Sequence, residues 1–315
     1  MNINVKPPVV GGQADWLIVW VSLLCVCFWA FVGGELFCRY YLGLGTPPLS
    51  IAHSTIEYMW APNQDIYRFG NHIVINELGM RSAHFPITKP AGEFRALVIG
   101  DSVIDGGALT DQADLATDIL SVDGALYLNA SAGSWGPENE EAYINRFGTF
   151  NADMLIVVLS THDAGDVPTF AALDPETHPT AKPWFALSEA AFRYLPRYLP
   201  WNVKEPKEID LPPARSATAA IARMVHLDLP VCVITHADRQ ERRSGVRGQG
   251  YRANLAAASG VSIIDDAQFI SPETGYRDVI HLNNVGQIGL SKAMAKCRAV
   301  VFPQIEPQST PSKGN

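Results

Sequence analysis

Residues 95–105 read RALVIGDSVID. Arg95–Gly100 has the length and apolar content of a short strand buried on both faces, and it stops abruptly at Gly-Asp-Ser. Four more runs of this kind follow: ALYLN at 125–129, DMLIVVLS at 153–160, PVCVIT at 230–235 and VSIID at 261–265. Amphipathic stretches near 110–120, 137–148, 214–227, 249–259 and 285–298 separate or follow them. Near-continuous apolar strands alternating with helices predict a parallel sheet covered on both faces. Right-handed crossovers then give an α/β fold, a three-layer α/β/α doubly wound sheet. In such folds the chemistry lies beyond the C-terminal ends of the strands.

Two pieces of sequence fall at those ends. Ser102 follows the first strand at the start of a helix, where backbone N–H groups and the helix dipole favour developing negative charge. On its own a serine there also reads as a helix cap. Asp278-Val-Ile-His281 stands just before the last helix. A carboxylate three residues before a histidine can reach the ring and fix its tautomer, which leaves the other nitrogen free to take a serine proton. The serine context is GDSVI rather than GxSxG, so an α/β-hydrolase nucleophile elbow is disfavoured.

Four blocks in this order resemble the SGNH (GDSL-type) hydrolases over roughly residues 70–298. They are GDSV at 100–103, NASAGSWGP at 129–137, STHD at 160–163, and DVIH at 278–281 followed by LNNVGQ. The resemblance implies a flavodoxin-like sheet with Ser102 as nucleophile, His281 as base and Asp278 as orienting carboxylate. It also implies an oxyanion hole from the N–H of Ser102, a glycine N–H in the second block, and an asparagine side chain in the third. Here the glycine is Gly133, with Ser134 as the alternative, and His162 stands at the asparagine position. A histidine can donate one hydrogen bond, and Asp163 beside it is a candidate to hold the ring. Losing one oxyanion donor costs roughly 3–4 kcal/mol of transition-state stabilisation. The neck segment GELFCRYYLGLGTPPL and NELGMRS (76–82) resemble membrane-anchored bacterial members found with exopolysaccharide systems. Asn76, Gly79 and Arg81 read as a structured turn leading into the domain.

Composition narrows the function class. Of the 315 residues, 47% are hydrophobic and 18% charged, enough to bury a sizeable core. The net charge of −8 argues against a nucleic-acid partner. Five cysteines without a CxxC disfavour a disulfide framework and a cysteine-based zinc site. The histidines form no HExxH, and the serine chemistry needs no metal and no cofactor.

Between Asp15 and Glu35 lie 19 uncharged residues, WLIVWVSLLCVCFWAFVGG. As a helix they cover about 28 Å, enough for a bilayer core. The organisation expected is therefore a tail at 1–15, a transmembrane anchor at 16–34, and a neck with N-terminal extension at 35–94. A hydrolase-like domain at 95–302 follows, with a cap-like insertion at 165–213, and then a disordered tail at 303–315. A short N-terminal tail before the span favours a domain outside the cytoplasm, and the resemblance implies a bacterial inner-membrane location. Arg239, Arg242, Arg243, Arg247 and Arg252 crowd one stretch of an acidic chain. Arg242 and Arg243 are candidates for an anion-attracting rim.

The function expected is a serine esterase acting through an acyl-enzyme on an acylated carbohydrate, such as O-acetyl groups of a surface polysaccharide, or on a small ester. Alternatives are an O-acetyltransferase with the same triad, a lysophospholipase or thioesterase at the membrane face, and a non-catalytic subunit of a polysaccharide export system. Proteins of polysaccharide biosynthesis or export are the candidate partners.

Overall fold

A computed structural model describes residues 13–122, 124–198 and 217–303. Most of the expected N-terminal tail, the stretch 199–216 with Trp201, and all but the first residue of the expected disordered tail lie outside the described residues. The chain divides into one unit of residues 1–46 and 183–203 and a second of 47–182 and 204–315. The expected neck is thus divided at residue 46, and the expected cap at 182. Helices α1 (Gln13–Leu36) and α5 (Ala186–Glu189) belong to the first unit.

The second unit begins with two antiparallel ribbons. β1 (Ser50–His53) pairs with β2 (Glu57–Trp60), and β3 (Gln64–Arg68) pairs with β4 (Asn71–Ile75). Beyond β4 the Asn76 side chain accepts from the N–H groups of Leu78 and Met80. Gly79 in that turn has φ +70°, and a Cβ there would meet Met59 Cε at 2.3 Å and the Trp60 carbonyl at 2.7 Å. The Arg81 guanidinium then reaches Gln112 and the carbonyls of Gly107 and Thr110. NELGMRS is therefore a packed clasp over the loop that follows the Ser102 helix.

The central sheet holds β5 (Phe94–Gly100), β6 (Ala125–Ser131), β7 (Met154–Ser160), β8 (Val231–His236) and β9 (Ser262–Asp265). Their order is β6-β5-β7-β8-β9, every pair parallel, and the short helices α7 (Arg239–Ser244) and α8 (Gln249–Ala257) connect β8 to β9. This is the doubly wound sheet the sequence predicts, with the strand bounds within about two residues. Every residue of β5, β7 and β8 is buried. Alternation splits the strands between two cores. Leu97, Ile99, Leu155 and Val157 join the core of α4 (Pro137–Phe147) and α6 (Ala217–Val225). Ala96, Val98, Ile156 and Val158 join the core of α3 (Ala116–Leu120) and α9 (Asn284–Val301). Truncating one such residue, for example Leu97→Ala, costs about 2–5 kcal/mol.

In the first unit, the side chains described along α1 are largely exposed apolar groups. The continuous helix Trp16–Tyr41 is long and apolar enough to cross a membrane, the length and composition also of a signal sequence. Glu35 accepts from the N–H groups of Ala186 and Leu187 at the start of α5, and Phe31 packs edge-on against Phe185. Glu189 accepts from Gly45 N–H. These contacts tie residues 185–189 of the expected cap-like insertion to the N-terminal helix and the residues after it.

The cysteine reading needs a correction. Cys232 on β8 and Cys297 on α9, 65 residues apart in sequence, form a disulfide with a Cα–Cα distance of 5.8 Å. Nothing in their spacing announces it; the packing of α9 on the sheet brings the two buried residues together. Alkylation of the denatured, unreduced chain should leave Cys232 and Cys297 unmodified, and prior reduction should expose both. Modification of both without reduction would show that the bridge does not form.

Candidate active site

Ser102 opens α2 (Ser102–Asp105) at the C-terminal end of β5. The Asp101 side chain caps this short helix by accepting from Val103 N–H at 2.8 Å. His281 and Asp278 stand in the loop before α9. Ser102 Oγ lies 3.0 Å from His281 Nε2, and His281 Nδ1 lies 2.8 Å from Asp278 Oδ2. The carboxylate at Nδ1 requires the proton there, so Nε2 presents its lone pair to the serine hydroxyl. Asp278 also accepts from the N–H groups of Ile280 and His281. Burial works to raise the Asp278 pKa, but the hydrogen bonds from His281 and Ile280 prevail and hold it below the usual carboxylate range. The three residues expected to form a triad are brought together from two connections.

The loop carrying His281 is fastened by a pair the sequence reading missed. His236, at the end of β8, is fully buried. Its Nδ1 lies 2.5 Å from Asp266 Oδ2, and its Nε2 lies 2.9 Å from the Ile280 carbonyl. A carbonyl can only accept, and a carboxylate accepts too, so both ring nitrogens carry protons. Burial alone would depress this histidine, but the Asp266 charge and its hydrogen bond, with the Ile280 carbonyl, raise its pKa. Arg239 N–H also donates to Val279 O, and Arg277 N–H to His281 O.

The second block forms the turn after β6, where Ser134 takes a left-handed φ of 64°. The Tyr58 hydroxyl of β2 donates to the Gly133 carbonyl. Trp60 Nε1 donates to Asp105, the last residue of α2, at 2.8 Å. Gly136 carries no Cβ where one would meet the Asp166 carbonyl at 2.8 Å, so its absence admits the chain after β7. Tyr58, Trp60 and Asp166 gave no signal in the sequence, because their roles arise from distant elements meeting.

His162 lies in a 3-10 turn, Thr161–Ala164, at the end of β7. Its Nε2 lies 3.2 Å from Asp101 Oδ2, 3.4 Å from Asp163 Oδ1 and 3.6 Å from Asp166 Oδ2. Asp163 thus faces the ring, as expected, but shares it with two other carboxylates. Glu140, on α4, is fully buried, with no hydrogen-bond partner for either carboxylate oxygen among the described residues. Burial first, then the Asp101 charge, drive Glu140 and Asp163 well above the usual carboxylate range. Burial tends to depress His162, but Asp101, Asp163 and Asp166 outweigh it and raise the ring to about 9. With Nε2 facing carboxylates, Nδ1 is the nitrogen left to donate elsewhere.

A cavity of about 720 Å³ adjoins Asp278, lined with it by Arg239, Gln240, Arg243, Ser244 and Val279. Of the two rim arginines expected, only Arg243 lines it. Arg242 instead donates to the carbonyls of Ala267 and Ile270 and holds the loop after β9. Arg247 pairs with Asp265 and lies over the Tyr251 ring.

No protein-family model matches the chain, and no curated protein matches it significantly. Among solved structures it is similar to a protein from Bacteroides ovatus described as a GDSL-like lipase, at 14% identity and TM-score 0.39, covering 68% of this chain and 55% of that one. A member of the lipolytic G-D-S-L family from Veillonella parvula is similar at 12% identity and TM-score 0.40, covering 67% of this chain and all of that one. A protein from Agrobacterium tumefaciens described as an arylesterase is similar at 15% identity and TM-score 0.39, covering 66% and 100%.

The His236–Asp266 pair gives stability a direction with pH. A histidine raised on folding contributes fully below its unfolded value, about 6.5, and loses that contribution as pH rises through the folded value. Melting temperature should fall on the alkaline side, and the fall should shrink in His236→Gln/Asp266→Asn. An unchanged pH profile in that variant would refute the assignment of protons to both ring nitrogens.

Proposed function

We propose that the chain is a serine ester hydrolase of the SGNH type. The observation that carries this reading is the contact between Ser102 Oγ and His281 Nε2 at 3.0 Å, backed by Asp278 at 2.8 Å on the other nitrogen. A hydroxyl is a poor nucleophile at neutral pH unless a base takes its proton as it attacks. In this reading Ser102 Oγ bonds to the acyl carbon while its proton passes to His281 Nε2. Asp278 stabilises the imidazolium so formed.

The tetrahedral oxyanion would be met by the N–H groups of Ser102 and Gly133 and by His162 through Nδ1. Collapse breaks the bond to the alcohol, which leaves with the proton from His281. Water then attacks the acyl-Ser102 ester by the same proton route and frees the acid.

The substrate class we propose is an O-acylated, negatively charged carbohydrate. The cavity beside Asp278 supports it, because Arg239 and Arg243 add positive charge to its wall on a chain of net charge −8. We also propose that Trp16–Tyr41 anchors the chain in a membrane with the sheet unit outside the cytoplasm. The exposed apolar helix and the Cys232–Cys297 bridge support this, since disulfides persist in oxidising compartments.

The test compares two substrates, a small neutral acetyl ester and an acetylated acidic polysaccharide. Ser102→Ala should abolish hydrolysis of both. Asp278→Asn should retain roughly 10- to 100-fold more rate than Ser102→Ala, since it orients without reacting. Arg239→Gln/Arg243→Gln should raise KM for the polymer and leave KM for the neutral ester nearly unchanged. Equal changes on both substrates would contradict the anionic-substrate reading.

A further inference from the structure

The described residues hold a charge imbalance beside Ser102. Asp101, Asp163 and Asp166 gather around the imidazole of His162, and Glu140 acts electrostatically on Asp163. Asp101 and Asp163 are 1% and 0% exposed as side chains, and Glu140 is fully buried. Buried carboxylates are normally paired or hydrogen-bonded, since an unpaired charge out of water is costly.

The two inner carboxylates share one arrangement. Asp101 Oδ1 accepts from Val103 N–H at 2.8 Å, and Asp163 Oδ2 accepts from Ser160 N–H at 2.7 Å. In each case one oxygen is anchored to the backbone. The other oxygen, Asp101 Oδ2 or Asp163 Oδ1, is buried without a hydrogen-bond partner among the described residues and faces His162 Nε2. Glu140 adds an independent buried carboxylate with both oxygens unpartnered, within electrostatic reach of both.

A single N–H cannot satisfy three acceptors. The distances from His162 Nε2, 3.2, 3.4 and 3.6 Å, also exceed the roughly 2.7–2.9 Å of a charge-assisted hydrogen bond. They match something else. Around a tetrahedral zinc ion with bonds of about 2.0–2.2 Å, neighbouring ligand atoms stand about 3.3–3.6 Å apart. The candidate donor atoms of Asp101, His162 and Asp163 all lie within 4.8 Å of one another.

We propose that Asp101 Oδ2, His162 Nε2 and Asp163 Oδ1 form a three-residue binding site for a divalent first-row transition cation, with the remaining coordination position left to solvent. One imidazole among carboxylates suits zinc and its neighbours. Calcium and magnesium favour oxygen alone. The backbone-anchored oxygens fix the carboxylates as outer-sphere bonds do in metal sites. His162 and Asp166, 42% and 40% exposed, are the open side by which an ion enters. No HExxH announces this set in the sequence, because its residues come from the connections after β5 and β7. A cation on Nε2 also confines the ring proton to Nδ1, the nitrogen proposed above to meet the oxyanion. The binding site itself does not depend on that reading.

The test uses the full chain in detergent, stripped with a chelator and dialysed against Zn²⁺, with metal content measured per chain. Co²⁺ serves as a spectroscopic substitute whose visible bands report imidazole and carboxylate ligands. One zinc per chain is expected. His162→Ala and Asp163→Asn should each weaken binding at least about tenfold, and Ser102→Ala should leave it intact. His162 is partly exposed, so His162→Ala tests the site even if Asp163→Asn fails to fold. Absence of stoichiometric zinc would overturn the proposal. So would zinc whose affinity is unaltered by His162→Ala, which would place it elsewhere, for instance on Cys25, Cys27 and Cys38. The readout is metal content, so failure of the site is distinct from failure of the esterase reading.

Discussion

The position of β5 inside the sheet sets the geometry of the candidate site. Its neighbours are β6 on one side and β7 on the other, so the chain leaves β5 in one direction and returns to its far side. All the strands are parallel, and the connections after β5, β6 and β7 therefore emerge at one edge. That edge is the topological switch point of a doubly wound sheet, where a crevice opens. Ser102, Gly133 and His162 occupy those three connections. The last helix, α9, is fixed against the same edge by Gln287, which accepts from Ala116 N–H and donates to the Val103 carbonyl. The loop before it then carries His281 to Ser102.

Buried charge is handled in two different ways around this edge. Arg81 and Arg95 are fully buried cations, yet their guanidinium groups donate to backbone carbonyls and to Gln112 or Glu93. They are structural clasps with their donors used. In the His236–Asp266 pair each ring nitrogen has an acceptor, and one oxygen, Asp266 Oδ1, is left without a donor among the described residues. The carboxylates around His162 are left more open. A fold that satisfies Arg81 and Arg95 leaves four buried oxygens next to the serine, Asp101 Oδ2, Asp163 Oδ1 and both of Glu140, without a donor among the described residues. That contrast is the physical reason to look for a cation there.

Much of this was legible in the residues. The five apolar runs gave the parallel sheet because a strand buried on both faces needs no alternation, and each run coincides with an observed strand. The Ser102, Asp278 and His281 set was legible because Asp and His lie three residues apart and Ser102 ends a strand. The supporting shell was not legible. Tyr58, Trp60 and His236 carry ordinary local patterns, and their partners are remote in sequence. Arg242 and Arg243 look equivalent in a run of arginines, but one turns inward to Ala267 and Ile270 while the other lines the cavity. Cys232 and Cys297 pair only because α9 packs over β8. The carboxylate cluster was hidden for the same reason, its members being distributed over three connections.

The central claim is that Ser102 is a nucleophile activated by His281. Covalent labelling of the purified chain with a fluorophosphonate, mapped by mass spectrometry, tests it without knowledge of the substrate. The account predicts one label per chain on the peptide containing Ser102, and none in His281→Gln. A chain that takes up no label, or takes it up elsewhere and still does so in Ser102→Ala, would contradict it.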